Sequence, residues 1–201
     1  MHPETFKRIG LTGGIGSGKT TLGRMLVARG FALIDADAIS RELTGVEGTA
    51  IPLIRKSFGD SFITADGSMD RVQMRTLVFS QPQSKTQLES ILHPLIRRAI
   101  SDKEAIFRTE GKPLVILDIP LLLETDRWQE QFEGIIVVDC SPERQIARVM
   151  ARNGWTKKEA QAVIDAQVSR EQRLAVASWV INNDFDDLAA LQKQADAWTP
   201  Y

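Results

Sequence analysis

The run Gly13-Gly14-Ile15-Gly16-Ser17-Gly18-Lys19-Thr20 matches the pattern G-x-x-x-x-G-K-[ST], whose residue types suit a bound polyphosphate. Glycines let backbone N–H groups turn inward around phosphate oxygens with no Cβ in the way. A helix starting behind the loop adds the positive end of its dipole beneath them. Lys19 can reach the β- and γ-phosphates of a nucleotide, and the Thr20 hydroxyl is a ligand for Mg²⁺. Chance alone gives this pattern in roughly one chain per hundred of this length. A glycine-rich turn that merely joins strand to helix is therefore the weaker reading.

Two carboxylates close the apolar run that follows. Asp35 and Asp37 are two apart, so in an extended chain both side chains point the same way. The carboxyl end of a strand is where open α/β sheets bind ligands. One carboxylate there could accept the proton of a hydroxyl as it attacks a γ-phosphate. Asp37 could equally cap a helix starting near Ala38. Asp118 ends the run Leu114-Val115-Ile116-Leu117, where phosphate-loop proteins place an acid that holds a Mg²⁺-bound water; the alternative is a strand-end cap. Arg148 and Arg152 are four apart on one helix face, followed by Lys157, Lys158, Arg170 and Arg173. That set reads as an arginine-bearing lid over phosphate, or as a solvated basic face.

Other phosphate-loop classes lack their signatures here. No Asn-Lys pair exists to read guanine, Asp118-Ile119-Pro120-Leu121 is not Asp-x-x-Gly, and no Leu-Ser-Gly-Gly is present. A small kinase remains. Such an enzyme needs a substrate lobe and a charge-neutralising lid, because phosphoryl transfer is mostly positioning and electrostatics.

The elements that must position these residues are legible as period. Arg8–Thr12, Ala32–Asp35, Leu114–Asp118, Gly134–Asp139 and Ser178–Asn182 are short apolar runs that predict strands. Helical patterns between most of them imply right-handed crossovers and a mostly parallel sheet. Lys19–Arg29 carries Leu22, Met25 and Leu26 at helical spacing, then Gly30 as a stop. Ser141-Pro142 opens a helix as N-cap and first-turn proline, and Thr156-Lys157-Lys158-Glu159 reads as a capping box. A last helix starts near Asp187. The stretch from Asp37 to Pro113 is longer than one crossover needs. It holds a turn at Asp66-Gly67 and helical stretches around Arg71–Phe79 and Gln87–Phe107, the latter expected to bend or break at Pro94. It reads as an inserted helical lobe.

Composition sets the outer limits. A chain of 201 residues and 22.4 kDa can bury about 70% of its unfolded surface. With 25 basic and 26 acidic residues the net charge is −1, which argues against a polycation built for nucleic acid. One cysteine, Cys140, permits no intrachain disulfide, and two histidines, His2 and His93, cannot supply an ordinary His/Cys zinc site. Leu114 to Leu123, cut by Asp118 and Pro120, is too short to span a bilayer. With no basic-then-apolar leader pattern, a soluble cytoplasmic protein is the expectation, with no membrane or nucleic-acid partner and a monomer as the default.

Taken in order, the residues resemble the dephospho-coenzyme A kinase family. The matching pieces are Leu11 to Thr20, Ile34-Asp35-Ala36-Asp37, Asp70-Arg71, His93-Pro94, Asp118-Ile119-Pro120-Leu121-Leu122-Leu123-Glu124, Arg148, Arg152, Gln167 and Val180-Ile181-Asn182-Asn183. The phosphate loop is shared by many families; Ile-Asp-Ala-Asp, His-Pro and Pro-Leu-Leu-x-Glu in this order are more specific. The resemblance implies an α/β fold of the phosphate-loop nucleoside-monophosphate-kinase type. Its parallel five-stranded sheet would carry an inserted helical substrate lobe and a lid. On that division the core is 6–37, 113–147 and 176–201, the coenzyme A lobe about 38–112 and the lid about 148–175.

The resemblance further implies that the 3′-hydroxyl of dephospho-coenzyme A attacks the γ-phosphate of ATP, with Mg²⁺. Asp35 would be the base, acting with Lys19, Arg148 and Arg152. ATP would be bound by Gly13, Gly14, Ile15, Gly16, Ser17, Gly18, Lys19, Thr20 and Thr21, and the metal by Thr20 and Asp118. Asp35, Asp37, Arg71, His93 and Glu124 would face the acceptor; His93 could equally bond the backbone freed by Pro94. Members often carry glycine shortly after the last strand's asparagine, where this chain has Asp184-Phe185. Two other readings stand beside this one: a small kinase of another acceptor, such as a nucleoside monophosphate or sugar acid, and a nucleotide-binding module without transfer activity.

Overall fold

Alternation of buried apolar residues along short β-rich runs builds the sheet. A computed structural model describes residues 6–119, 122–123 and 132–200. Its strands are β1 (Lys7–Gly13), β2 (Ala32–Asp35), β3 (Leu114–Asp118), β4 (Gly134–Asp139) and β5 (Trp179–Asn182). Their spatial order is β2-β3-β1-β4-β5. β1 runs parallel to both β3 and β4, and β4 parallel to β5. The chain leaves β1 one way, to β2 and β3, and then crosses to β4 and β5 on the other side. The order therefore reverses at β1, the kind of point where open α/β sheets bind ligands. β3 and β4 are buried along their whole length, as central strands of a sheet covered on both faces must be.

The helices are α1 (Lys19–Ala28), α2 (Ala36–Leu43), α3 (Ile51–Phe58), α4 (Arg71–Ser80), α5 (Pro82–Thr109), α6 (Pro142–Asn153), α7 (Lys157–Asp165), α8 (Arg170–Ala175) and α9 (Leu188–Ala197). Two compact units result, residues 1–34 with 107–201, and residues 35–106. In the first, alternate residues of the strands (Ile9, Leu11, Leu114, Ile116, Ile136, Val138, Ile181) pack against Leu22 and Leu26 of α1 and Leu191 and Ala195 of α9. A satellite cluster joins Ile146 and Val149 of α6 to Ala160 of α7, with Ile15, Trp155 and Ile164 against it. In the second unit, Ala50, Ile54 and Met74 form the centre, with Leu43, Phe58, Phe62, Met69, Leu92 and Leu95 around it.

Local signals fare unevenly. Gly30, at φ +90°, stops α1, and Asp187 caps α9. Thr156 and Glu159 form the expected reciprocal capping box on α7. The Asp66-Gly67 turn closes a small antiparallel bridge between Ile63 and Met69.

Two expectations, at Pro94 and at Asp35–Asp37, need correction. The helix carrying Pro94 is not broken there: α5 runs 28 residues through it. Pro94 is exposed while Leu92 and Leu95 are anchored in the second core, and that packing carries the helix past the missing N–H. Ser141 and Pro142 do open α6 as N-cap and first-turn proline, though the Ser141 hydroxyl makes no cap bond and donates to Asp184 instead. Finally, Asp35, not Asp37, caps α2, accepting from the Ala38 N–H at 2.9 Å. The strand ends at Asp35 and the helix begins at Ala36, so Asp37 lies in a first helical turn and the two carboxylates are not partners along one extended chain.

Candidate active site

The loop between β1 and α1 is shaped by what presses on its glycines. Gly18 is the N-cap of α1 at φ +96°, and no side chain caps the helix there. Its first-turn N–H groups keep the donor capacity that suits an anion. A Cβ on Gly18 would strike Asn183 Nδ2, which donates to the Ser17 carbonyl at 2.7 Å. A Cβ on Gly14 would strike Gln145 Nε2 and come within 3.0 Å of Arg173 Nη2. The loop is further tied by the Ser17 N–H to the Gly14 carbonyl at 3.0 Å. The Ser17 hydroxyl is buried and has no hydrogen-bond partner.

Lys19, the first residue of α1, is ion-paired with Asp118 at the end of β3. Leu11 and Asp118 are register partners, so the β1–β3 pairing itself brings the acid beside the loop. Asp118 is only 5% exposed. Thr20 is exposed and Thr21 half-buried on the first turn of α1. Among the described residues no group of three or more His, Cys, Asp or Glu could hold a metal. A hydroxyl and one carboxylate nevertheless fit Mg²⁺, which keeps most of its sites for phosphate oxygens and water.

Arg148 faces the loop from α6. Its Nη1 lies 3.4 Å from the carbonyls of both Gly16 and Ser17, and its Nη2 donates to the Phe185 carbonyl at 2.8 Å. Arg152, one turn on, is exposed and donates to Asn153 Oδ1 at 2.8 Å. Of the two arginines the sequence pairs on this face, the structure therefore brings one to the loop. Asp184 accepts from the Ser141 N–H at 3.1 Å and the Ser141 hydroxyl at 2.7 Å, with Arg144 Nε at 3.3 Å. Those bonds, the Ser141 hydroxyl foremost, hold its carboxyl below the usual range. The Asp184-Phe185 pair thus fastens the β5–α9 loop to the start of α6. Beside it lies a groove of about 450 Å³ lined by Ser141, Arg144, Ala147, Arg148, Ala151 and Asp186.

Within the second unit, Asp35 is half-buried: one oxygen caps α2 and the other lies 3.6 Å from Arg41 Nη2. Asp37 is exposed. Arg71 donates to Thr44 Oγ1 at 2.8 Å and to the Arg41 carbonyl at 3.3 Å. His93 is half-buried on α5, beside Leu92 and Leu95. Glu124 lies outside the described residues.

Sequence reasoning assigned no role to three residues that the fold brings to the loop, Gln145, Gln167 and Asn183; Arg173, read there as part of the basic lid set, also reaches it. Asp139 also joins the site's frame, through a bidentate pair with Arg170 at 2.8 and 2.7 Å. The available signal was polarity at strand ends (Asp139, Asn183) and on an otherwise apolar helix face (Gln145).

A family model described as dephospho-CoA kinase matches residues 7–188. The dephospho-CoA kinase of Burkholderia lata is 49% identical over 189 residues, covering 94% of this chain and 92% of that one. A solved structure from Thermus thermophilus superposes with TM-score 0.81 at 33% identity, covering 96% of this chain and 95% of that one. The dephospho-CoA kinase from Campylobacter jejuni has the same fold, with TM-score 0.66 at 24% identity over 94% and 93% of the two chains. Among the described residues no helix is long and apolar enough to cross a membrane. A match over residues 7–188 and relatives this similar along nearly their whole length mean that the chain belongs to the dephospho-CoA kinase family, and is a kinase.

Proposed function

We propose that this kinase moves the γ-phosphoryl group of ATP to the 3′-hydroxyl of dephospho-coenzyme A, the last step in making coenzyme A. The new bond joins the 3′-oxygen to Pγ while the bond from Pγ to the β,γ-bridging oxygen breaks, giving ADP. The observation that carries the phosphate chemistry is the loop before α1: an uncapped helix start, with Lys19 beside it on a carboxylate it can exchange for phosphate oxygens. Gly13 to Thr21 form the nucleotide cradle. Arg148 stands over it, and Arg148 and Arg152 belong to a lid spanning about 148–175, where they offset phosphate charge. The groove along α6 takes the nucleoside. Thr20 and Asp118 would hold Mg²⁺, which, when bound, offsets charge on the β- and γ-oxygens.

Asp35 takes the proton of the attacking hydroxyl, and Asp37, Arg71, His93 and Glu124 serve the acceptor. Support for Asp35 as base is its half-exposed carboxylate, fixed through one oxygen by the α2 cap, with the other 3.6 Å from the exposed Arg41 guanidinium. A net charge of −1 supports small-molecule partners over nucleic acid, and the protein is read as cytoplasmic. The test is purified protein with ATP, Mg²⁺ and dephospho-coenzyme A, following ADP and coenzyme A together. Equal formation of both is expected. Turnover on a nucleoside monophosphate but not on dephospho-coenzyme A would overturn the assignment.

A further inference from the structure

Ile15 of the phosphate loop is held by both its side chain and its backbone from the segment after β4. Its side chain packs against the cluster of Ile146, Val149 and Ala160, as do Trp155 and Ile164. Its backbone N–H donates to Gln167 Oε1 at 2.9 Å. Gln167 sits in the turn between α7 and α8, a place set by local bonds. Its own N–H donates to the Ile164 carbonyl at 3.1 Å, and two residues on, Ser169 and Gln172 form a capping box that starts α8. Arg173, 7% exposed, backs the same turn by donating to the Val168 carbonyl at 2.5 Å, with its Nη2 against Gly14. The loop's first half is thus coated by this segment, while Lys19 and Asn183 hold its second half.

Only the oxygen of a glutamine amide can accept an N–H, so the bond to Ile15 fixes which way round the Gln167 amide lies. Its NH₂ group, two neutral donors on the same rigid plane, therefore stays beside the loop with both hydrogens left to offer. A diphosphate is satisfied by the inner amides and the start of α1; a third phosphate extends past them, within the reach of a phosphate-loop lysine. We infer that Gln167 is a specificity residue for the third phosphate: it keeps its oxygen on Ile15 and donates through Nε2 to a γ-phosphate oxygen, so that the α7–α8 turn distinguishes a nucleoside triphosphate from a diphosphate. This rests on reading the loop as an ATP cradle.

Two variants separate this role from a purely structural clasp. In Gln167→Glu the carboxylate still accepts the Ile15 N–H but has no donor to offer; in Gln167→Ala both contacts go. Calorimetric titration with Mg²⁺, using ADP and a non-hydrolysable ATP analogue and no acceptor, gives the ratio of triphosphate to diphosphate affinity. Loss of one hydrogen bond to a charged group should lower that ratio about 10- to 100-fold in both variants. ADP affinity should stay within about threefold, and Gln167→Glu should keep the wild-type melting temperature. An unchanged ratio in Gln167→Glu would reduce Gln167 to a clasp and overturn the proposal. So would tighter triphosphate binding by Gln167→Ala, which would make the side chain a plug that phosphate displaces. If wild type binds neither nucleotide, the ATP-cradle reading itself fails, and the inference with it.

Discussion

Lys19 neutralises a carboxylate that is almost wholly buried, so it has a structural partner as well as a phosphate to find. Lys19→Ala should lower turnover by at least ~10²-fold, the scale of losing one transition-state donor. It also removes the cation beside Asp118, and should cost about 1–3 kcal/mol of stability. Steady-state kinetics at saturating ATP and urea unfolding separate the two effects. Near-normal turnover would take the loop out of the chemistry, and unchanged unfolding would mean that the ion pair adds nothing. Asp35, proposed as the base, is also a helix cap. Asp35→Asn still caps α2 but cannot take a proton at neutral pH, so stability should hold while turnover falls roughly 10²–10⁴-fold. Asp35→Ala should lose both, the cap costing about 0.5–2 kcal/mol. Equal turnover in wild type and Asp35→Asn would assign the base elsewhere.

Among the elements, the β5–α9 loop is fastened to α6 by Asp184, whose carboxylate gathers the Ser141 hydroxyl and N–H and Arg144. A carboxyl held below its usual range stabilises the fold at every pH above its unfolded value, about 3.9, and loses that contribution as pH falls through the folded value. The gap in melting temperature between wild type and Asp184→Asn should therefore be constant from pH 5 to 8 and close on acidification below about pH 4. A gap that persists at low pH would mean that the loop is held by packing rather than by the charge. Because the Phe185 carbonyl in this loop receives Arg148, the same variant should also raise KM for ATP.

For the whole molecule, the nucleotide-contacting residues proposed for the loop and the lid lie in the first unit, whereas Asp35, Asp37, Arg71 and His93 lie in the second. A ligand stabilises the parts it orders, by about 2.7 kcal/mol when present at a hundred times its dissociation constant. Hydrogen exchange with an ATP analogue should slow across Ile15–Thr21 and across 148–173, with smaller changes across 35–106. Adding dephospho-coenzyme A should then slow exchange in the second unit. Unchanged exchange across 148–173 at saturation would leave that segment as a static wall rather than a lid.

The strands, the phosphate loop, the capping box at Thr156 and the stop at Gly30 were legible in the sequence because each is set by neighbours within a turn or a strand's period. The Asp35–Asp37 pair was misread at the one place where that period changes, since a strand becomes a helix between the two residues. Ser141 stands at the helix start as the sequence suggests, but its hydroxyl's partner was not legible: it takes Asp184, 43 residues on, which the β4–β5 pairing brings alongside. The contacts that complete the loop are longer still, Lys19 with Asp118 across 99 residues, Ile15 with Gln167 across 152 and Ser17 with Asn183 across 166. Local chemistry thus determined which residues could hold phosphate. Only the strand order, which puts β1 between β3 and β4, decided which distant side chains hold those residues in place, because a hydrogen bond reaches about 3 Å and sequence periodicity carries no information on what a crossover brings within that distance.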